Sequence, residues 1–307
     1  MNTIRIRIVT VLLVLLVSML ACTFSQPTPA QPPTLEPTVA QPTAEPTIQP
    51  TDTLSPVLPT TQQPVSRMYS VALLTPGHTA NIRSAPGQDN PIIDALKYDS
   101  GMISGTGNTA EADGLHWIEI AWAQSTTAWV STLYLTEYVP KDAFCGDQKV
   151  LDLIENFRDA VITKNGDLFK SVVSPTRGLT VRLLTNGNWA SYTPEQVSWL
   201  FKSSYAFNWG KAAGSGLEVN GSFMDEVYTF LLRSLDSESR YACNKVDAEG
   251  ASYPMLWPDY YTAFNFYSVR SPVIPEEELG WHTFLIGFEY VDGEPYLMSL
   301  VHFAWEP

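Results

Sequence analysis

Residues 281–305 read WHTFLIGFEYVDGEPYLMSLVHFAW, two alternating runs separated by Asp292-Gly293. Alternation of apolar and polar residues with a period of two predicts β-strands, and an Asp-Gly pair between them predicts a type I′ turn. A two-residue turn fixes the strand register, so residues whose numbers sum to 585, as 292 and 293 do, face each other. The stretch therefore predicts an antiparallel hairpin built from residues 281–305.

The predicted register decides which side chains of the hairpin share a face, because successive residues of a strand point to opposite sides. One face carries a possible pocket or ligand-binding set: Trp281, Glu289, Tyr296 and His302. His302 would act there as an acid or base, or else be an ordinary hydrogen-bonded, partly buried histidine. His282 falls on the opposite face, so the two histidines cannot share a zinc ion, and we expect no metal and no cofactor.

Residues 141–307 combine helical periodicity with these strands. Apolar residues recur at helical spacing over residues 150–161, and Thr193-Pro194-Glu195-Gln196 has the composition of a capped helix start. Ser222 is predicted to cap a further helix that continues to about Arg233. Helices followed by a curved antiparallel sheet predict an α+β domain, laid out as an NTF2-like cone.

The same region resembles an uncharacterised family of secreted bacterial domains. Three segments carry the resemblance: Leu168–Pro175, Asn208-Trp209-Gly210 with Gly214-Ser215-Gly216, and the ending, Gly280–Phe284 with Tyr296–His302. The resemblance covers most of residues 141–307 and implies no settled activity.

Residues 67–140 predict a small all-β unit. Short apolar or alternating runs are separated by turn signals such as Pro76-Gly77 and Ala112-Asp113-Gly114. The six runs are Tyr69–Leu74, Ala80–Arg83, Ile92–Leu96, Met102–Gly105, Trp117–Ala121 and Ala128–Val130.

This unit resembles the bacterial SH3 (SH3b) domain family. The segments that carry the resemblance, in the family's order and spacing, are Asn81-Ile82-Arg83-Ser84-Ala85-Pro86-Gly87, Pro91–Leu96, Trp117–Ile120 and Ala128–Leu135. Ala85 and Ala128 replace two glycines that are usual in the family. The resemblance implies a small barrel that contacts peptidoglycan or another envelope polymer. The candidate polymer-binding residues are Trp117, Trp129 and Tyr134.

Residues 1–21 have the layout of a secretory signal. Arg5 and Arg7 precede a mainly apolar run, which ends at Met19-Leu20-Ala21-Cys22. This ending resembles the lipobox of bacterial lipoproteins, and the resemblance implies a lipid such as palmitate on Cys22. An ordinary signal peptide followed by a coincidental cysteine is the alternative. Residues 22–66 contain eleven prolines among Thr, Gln, Ala and Glu, which predicts a disordered linker.

The charge of the chain limits its partners. The 307 residues carry a formal charge of −14, and removal of residues 1–21, which hold two arginines and no acidic residue, changes it to −16. An acidic surface argues against nucleic acid and against a polybasic membrane contact. The lipid on Cys22 is then the predicted membrane anchor. We expect an exported chain held on the outer side of a bacterial membrane.

Two cysteines remain beyond Cys22 in the exported part of the chain. Cys145 and Cys243 form an even pair, which in an oxidising compartment predicts a disulfide. A catalytic thiol is the alternative, although neither flanking sequence resembles a cysteine-peptidase signature.

These features predict a non-catalytic, lipid-anchored protein of the cell envelope. Its first β unit would bind an envelope polymer, and residues 141–307 would bind a small ligand or serve as an interaction domain. The alternative is a cell-wall hydrolase or another enzyme with its site in residues 141–307. The sequence of that region shows no serine nucleophile elbow and no other coherent catalytic set, which favours the first interpretation.

Overall fold

The alternating runs of residues 67–140 form one antiparallel sheet. The computed structural model describes residues 66–123, 126–272 and 280–306, all within one structural unit, Thr61–Pro307. The predicted signal, Cys22 and almost all of the predicted linker lie outside the described residues. The strands are β1 Met68–Val71, β2 Thr79–Arg83, β3 Ile92–Lys97, β4 Ile103–Ala112, β5 Leu115–Trp122, β6 Thr126–Ser131 and β7 Leu135–Glu137. Their order in the sheet is β3-β2-β6-β5-β4-β1-β7.

The six predicted strands are confirmed, but the predicted SH3b-like barrel is wrong. A barrel closes only when its two edge strands pair, and in the described part of the chain β3 and β7 remain opposite edges of an open sheet. The edge strand β7 lies instead against the C-terminal hairpin. There the carboxylate of Glu137 accepts hydrogen bonds from the backbone N–H groups of Asp292, at 2.7 Å, and Gly293, at 3.0 Å.

Residues 141–306 form a second, mixed sheet, a separate hairpin and several short helices. The helices are α1 Lys141–Cys145, α2 Gln148–Thr163, α3 Gly166–Val172, α4 Pro194–Val197, α5 Phe223–Glu226 and α6 Tyr228–Ser234. The strands are β8 Leu179–Arg182, β9 Trp189–Tyr192, β10 Phe207–Lys211, β11 Glu218–Gly221, β12 Arg240–Cys243, β13 Asn265–Arg270, β14 His282–Val291 and β15 Glu294–Ala304. The mixed sheet has the order β12-β13-β14-β15-β8-β9, and β10 pairs with β11 alone.

The predicted NTF2-like cone is also wrong. Strands account for 40% and helices for 21% of the structure, which has three sheets. Soon after α3 the chain enters β8, which pairs in parallel with β15 and extends the sheet beyond the predicted hairpin. Except for α2, the helices in the described residues have at most seven residues. The fold is therefore mainly β, with small helices on one side of a mixed sheet.

Local capping signals set where the helices start. Thr193 and Gln196 form a capping box with Pro194 in the first turn, as predicted. Ser222 also caps its helix as predicted, but that helix divides in two at Val227. Among the described helices, none is long and apolar enough to cross a bilayer.

A β-bulge changes the register of the C-terminal hairpin partway along its length. The turn itself is as predicted, since Asp292 and Gly293 both have positive φ, at 57° and 80°. Near the turn, paired residue numbers sum to 585, as in Phe288 with Leu297. Beyond Gly287, which pairs with Ser299, they sum to 586. One extra residue on β15 therefore reverses the faces of the distal part of the hairpin.

The predicted separation of His282 from His302 is wrong because of this bulge. Phe284 pairs with His302, and His282 pairs with Ala304, so both histidines lie on one face of the sheet. A hydrogen bond of 3.0 Å joins His282 Nδ1 and His302 Nε2. The sequence shows a glycine at position 287, but it does not show which strand carries the extra residue.

The mixed sheet is buried on both faces, which explains why apolar side chains predominate on both sides of its central strands. One face packs Phe284, Ile286 and Leu300 against the helices. The other face packs Leu285 and Met298 into a second core, which includes Tyr261 and reaches Ala72 in the first β region. The backbone N–H of Leu73 donates to the carbonyl of Tyr260 at 3.0 Å, so backbone contacts also join the two regions.

The predicted disulfide between Cys145 and Cys243 is confirmed. It joins the end of α1 to β12, with the two Cα atoms 5.8 Å apart and 98 positions apart in sequence. In the chain-entropy model a loop of this length stabilises the fold by about 4–5 kcal/mol.

We predict that Gly287→Ala destabilises the protein, because there is no room for a methyl group at the bulge. An added Cβ would lie 2.3 Å from Ser299 Oγ, 2.6 Å from Trp257 Cη2 and 3.2 Å from Met298 Sδ. Overpacking of this kind lowers the free energy of unfolding by about 1–3 kcal/mol. Urea unfolding of the purified chain measures the change.

The matched control is Gly146→Ala, since a Cβ at position 146 meets nothing closer than 3.4 Å. We expect it to change the free energy of unfolding by less than about 0.5 kcal/mol. Equal stability of the two variants would contradict the packing account of the bulge.

Candidate functional site

One candidate site is a cavity of about 620 Å³ between the first sheet and the mixed sheet. Its apolar wall contains the aromatic and aliphatic side chains of Tyr69, Trp117, Leu133, Tyr261 and Met298. Its polar wall contains the hydroxyl, amide and imidazole groups of Asn108, Thr109, His116 and Thr180. The volume falls within the range of about 300–1,000 Å³ that is common for small-molecule sites.

The carboxylate of Glu289 lies in this wall and is fully engaged. It is only 3% exposed, and its Oε2 atom accepts from Arg177 Nε at 2.7 Å. Its Oε1 atom accepts from the hydroxyls of Ser174 and Thr176. A buried carboxylate with a charged partner and several donors is electrostatically satisfied. Glu289 is therefore held in place rather than free to act on a ligand.

The same Arg177 side chain reaches across to the first β region. Its Nη2 atom donates to the carbonyls of Thr132, at 2.8 Å, and Leu135, at 2.6 Å. Its Nη1 atom donates to the carbonyl of Leu133 at 3.2 Å. One guanidinium thus connects a buried carboxylate of the mixed sheet to three carbonyls at the junction of β6 and β7. We call Arg177, Glu289 and these three carbonyls the arginine clamp.

A second ionic group closes another part of the cavity wall. Arg67 lies 3.3 Å from the carboxylate of Glu137 and 3.3 Å from that of Asp292. Burial raises the pKa of Glu137, and Arg67 and the N–H groups of the hairpin turn oppose this rise. Burial, and then Glu137, raises the pKa of Tyr69. The cavity therefore contains paired charges next to neutral hydroxyl and aromatic groups.

The structure does not bring the four predicted pocket residues together. Glu289 lines the main cavity, whereas Tyr296 lines a separate groove of about 350 Å³ with Lys149 and Asp152. Trp281 is 3% exposed and stacks on the guanidinium of Arg270, 4.9 Å from its ring centre. His302 lies on the other side of the sheet, paired with His282.

The two histidines form a buried, stacked pair. Their ring centres are 5.2 Å apart, and the ring of Phe230 stacks on both, at 4.5 Å from His282 and 5.3 Å from His302. The carbonyl of Leu183 can only accept, so His302 donates to it from Nδ1 at 2.8 Å. The Nε2 atom of neutral His302 then accepts from Nδ1–H of His282. Burial, and then His282, lowers the pKa of His302 well below its usual value.

The three predicted polymer-binding residues occupy different environments. Trp117 is 3% exposed and lines the cavity, and its indole N–H donates to the carbonyl of Ala112 at 3.2 Å. Trp129 is partly exposed on β6, and Tyr134 is 38% exposed. Trp117 therefore lines the cavity, whereas Trp129 and Tyr134 do not.

Sequence reasoning missed the charged residues that form the cavity, Arg67, Glu137 and Arg177. The clamp depends on contacts between residues 42 to 112 positions apart, and no local pattern signals them. The one hint in the sequence was the turn-forming composition on either side of Arg177, with Pro175 and Thr176 before it and Gly178 after it.

Within the part of the chain that the structure describes, no group of three or more His, Cys, Asp or Glu side chains is arranged to hold a metal ion. Comparison of the chain with protein-family models, curated proteins and solved structures finds no match. The SH3b resemblance and the resemblance of residues 141–307 to a secreted family therefore stay predictions.

We predict that the histidine pair makes the fold less stable at acid pH. The unfolded chain binds a proton on residue 302 below about pH 6.5, whereas folded His302 stays neutral until a much lower pH. The stability that the fold gains from keeping His302 neutral is therefore fully present above about pH 6.5 and is lost as the pH falls below that value. Between pH 7.5 and pH 5.5 this amounts to about 1.4 kcal/mol of unfolding free energy.

Urea unfolding at these two pH values, with wild type and His302→Gln, measures the effect. From pH 7.5 to pH 5.5, the unfolding free energy of the variant should fall by about 1.4 kcal/mol less than that of wild type. His116→Gln, at an exposed histidine, is the control and should behave as wild type does. The same pH dependence in His302→Gln and wild type would show that residue 302 does not carry the effect.

Proposed function

We propose that this protein is an exported, non-catalytic binding protein of the cell envelope. It holds a carbohydrate segment of an envelope polymer, or a small ligand of similar chemistry, in the cavity between its two sheets. The observation that supports this most is the lining of the cavity, which combines aromatic rings with hydroxyl and amide groups around carboxylates already paired with arginines.

A sugar ring matches this lining. Its apolar face packs against aromatic rings such as Trp117, while its hydroxyls exchange hydrogen bonds with polar groups such as Asn108 and Thr109. The lining has two arginines, Arg67 and Arg177, against three carboxylates, all of them in ion pairs, so the cavity offers no net attraction to an anion. The formal charge of −16 without residues 1–21 further disfavours polyanions.

The cellular place of this function rests on the sequence. The signal-like residues 1–21, the lipobox-like Cys22 and the proline-rich residues 22–66 support an exported chain tethered by lipid. The SH3b resemblance of residues 67–140 supports an envelope polymer as the ligand, because that family commonly contacts such polymers.

A second candidate is a polysaccharide hydrolase, which one observation favours. Glu137 and Glu289 line the same cavity, and burial raises the pKa of Glu137, as suits a general acid. Against it, both oxygens of Glu289 are engaged, one by Arg177 and the other by the hydroxyls of Ser174 and Thr176, so Glu289 is a poor nucleophile or base.

The binding proposal is tested by incubating the full chain, purified in mild detergent, with peptidoglycan sacculi and measuring the fraction that sediments. Leu133→Trp should weaken binding at least about tenfold, because its half-exposed side chain lines the cavity and a larger ring would fill the space. The backbone carbonyl of Leu133 that Arg177 uses is unchanged by this substitution.

Leu217→Trp is the matched control, since Leu217 is 71% exposed in the loop between β10 and β11 and does not line the cavity. It should bind as wild type does. Equal binding by both variants, or wild type that stays in the supernatant, would reject the cavity as the binding site. Release of soluble fragments that Glu137→Gln abolishes would favour the hydrolase.

A further inference from the structure

Arg270 is a buried cation for which the described residues provide no carboxylate partner. It ends β13, is 2% exposed and has one long hydrogen bond, from Nη1 to Thr283 Oγ1 at 3.5 Å. Arg240, directly opposite it on β12, carries the same charge. A buried charge is costly unless an opposite charge or several hydrogen bonds compensate it.

The two nearest candidate counter-ions are already engaged elsewhere. The carboxylate of Asp247 lies 3.0 Å from Arg240, and that of Glu249 lies 2.6 Å from it. Both therefore form ion pairs with the exposed arginine rather than with the buried one. Burial lowers the pKa of Arg270, because the charged form is costly to bury, and the carboxylate of Asp247 partly opposes this lowering.

Two buried N–H donors without acceptors lie close to each other here. They are Nε of Arg270, at the end of β13, and Nε1 of Trp281, one residue before β14, and the guanidinium of Arg270 lies 4.9 Å from the ring centre of Trp281. A Cβ atom built on Gly250 would lie 3.9 Å from Arg270 Nη2 and 4.0 Å from Trp281 Nε1, with no other contact within 4 Å. Buried donors almost always have a partner in native proteins, so an acceptor is expected here.

We infer that Arg270 and the indole N–H of Trp281, covered by the segment around Gly250, form a binding site for a small oxyanion such as a carboxylate or phosphate group. A guanidinium supplies charge and several donors to an oxyanion, and the indole adds one more. Gly250 has no side chain to occupy the space beside Arg270 Nη2 and Trp281 Nε1. The site is separate from the cavity between the sheets and does not depend on the proposed function.

Arg182 offers a matched comparison within the same fold. It is also largely buried, and its Nε atom likewise lacks an acceptor. Its guanidinium lies between two rings, 5.2 Å from the centre of Trp189 and 5.0 Å from that of Phe303. Among the described residues it has no second unpaired N–H beside it, so we assign no anion to it.

The test follows the indole N–H resonance of Trp281 in the full, ¹⁵N-labelled chain, assigned by its loss in Trp281→Phe. The probes are inorganic phosphate, acetate, and N-acetyl-alanyl-alanine with either a free carboxylate or a terminal amide. A saturable downfield shift with at least one free oxyanion is expected, and none with the amide. If the peptide with a free carboxylate binds, the source of the oxyanion is a chain terminus. If phosphate alone binds, the source is a free anion.

Arg270→Met should weaken binding at least about tenfold, because it removes the charged donor group of the site. Arg182→Met should keep wild-type affinity. The unfolding midpoint measured with and without phosphate gives a second readout of binding. It does not use the indole resonance, so it can also be measured for Trp281→Phe. An indole resonance that no probe moves, or equal binding by Arg270→Met and wild type, would overturn the inference.

Discussion

The arrangement of the two sheets depends on one arginine. Arg177 donates to the buried carboxylate of Glu289 with one nitrogen and to three carbonyls at the end of the first sheet with the others. Each of these acceptors needs a donor once it is removed from water. Because a planar guanidinium presents its donors in a fixed fork, the clamp sets the separation and orientation of the two sheets. The cavity is the space that this geometry leaves open.

The clamp also shapes the chemistry of the cavity. A buried carboxylate that is paired and fully hydrogen-bonded contributes polarity without a free charge, and the Arg67–Glu137 pair does the same on the first sheet. Apart from Asp292, which is paired with Arg67, the remaining lining is aromatic, aliphatic and uncharged polar, which fits an uncharged, hydroxyl-rich ligand better than an anion. Arg270, by contrast, lies beside ion pairs that the neighbouring carboxylates form with Arg240 and not with Arg270. Within the described residues, the cavity with its paired charges is thus distinct from the place where buried Arg270 has no carboxylate partner.

Much of the local structure could be predicted from the sequence, because its causes are local. Alternating runs marked the strands of the first sheet, Thr193 and Ser222 marked helix starts, and Asp292-Gly293 marked the turn. The errors share a different cause. The bulge at Gly287 lies against Trp257, 30 positions away in sequence. The parallel pairing of β8 with β15 joins segments more than 100 positions apart, and the open edge β7 lies against a distant turn. Long-range contacts of this kind also form the candidate site, so single-sequence patterns could not locate it.

The central claim, that Arg177 couples the two sheets, is tested most directly by amide hydrogen exchange in an Arg177→Met variant. Exchange should accelerate at Ser174–Gly178, around the substitution, and also at Thr132–Glu137 in the first sheet, because both lose the same donor. Arg158→Met removes an arginine that donates to the carbonyl of Leu235 within the second region, and it should leave Thr132–Glu137 unchanged. Faster exchange confined to Ser174–Gly178 in the Arg177 variant would contradict the account.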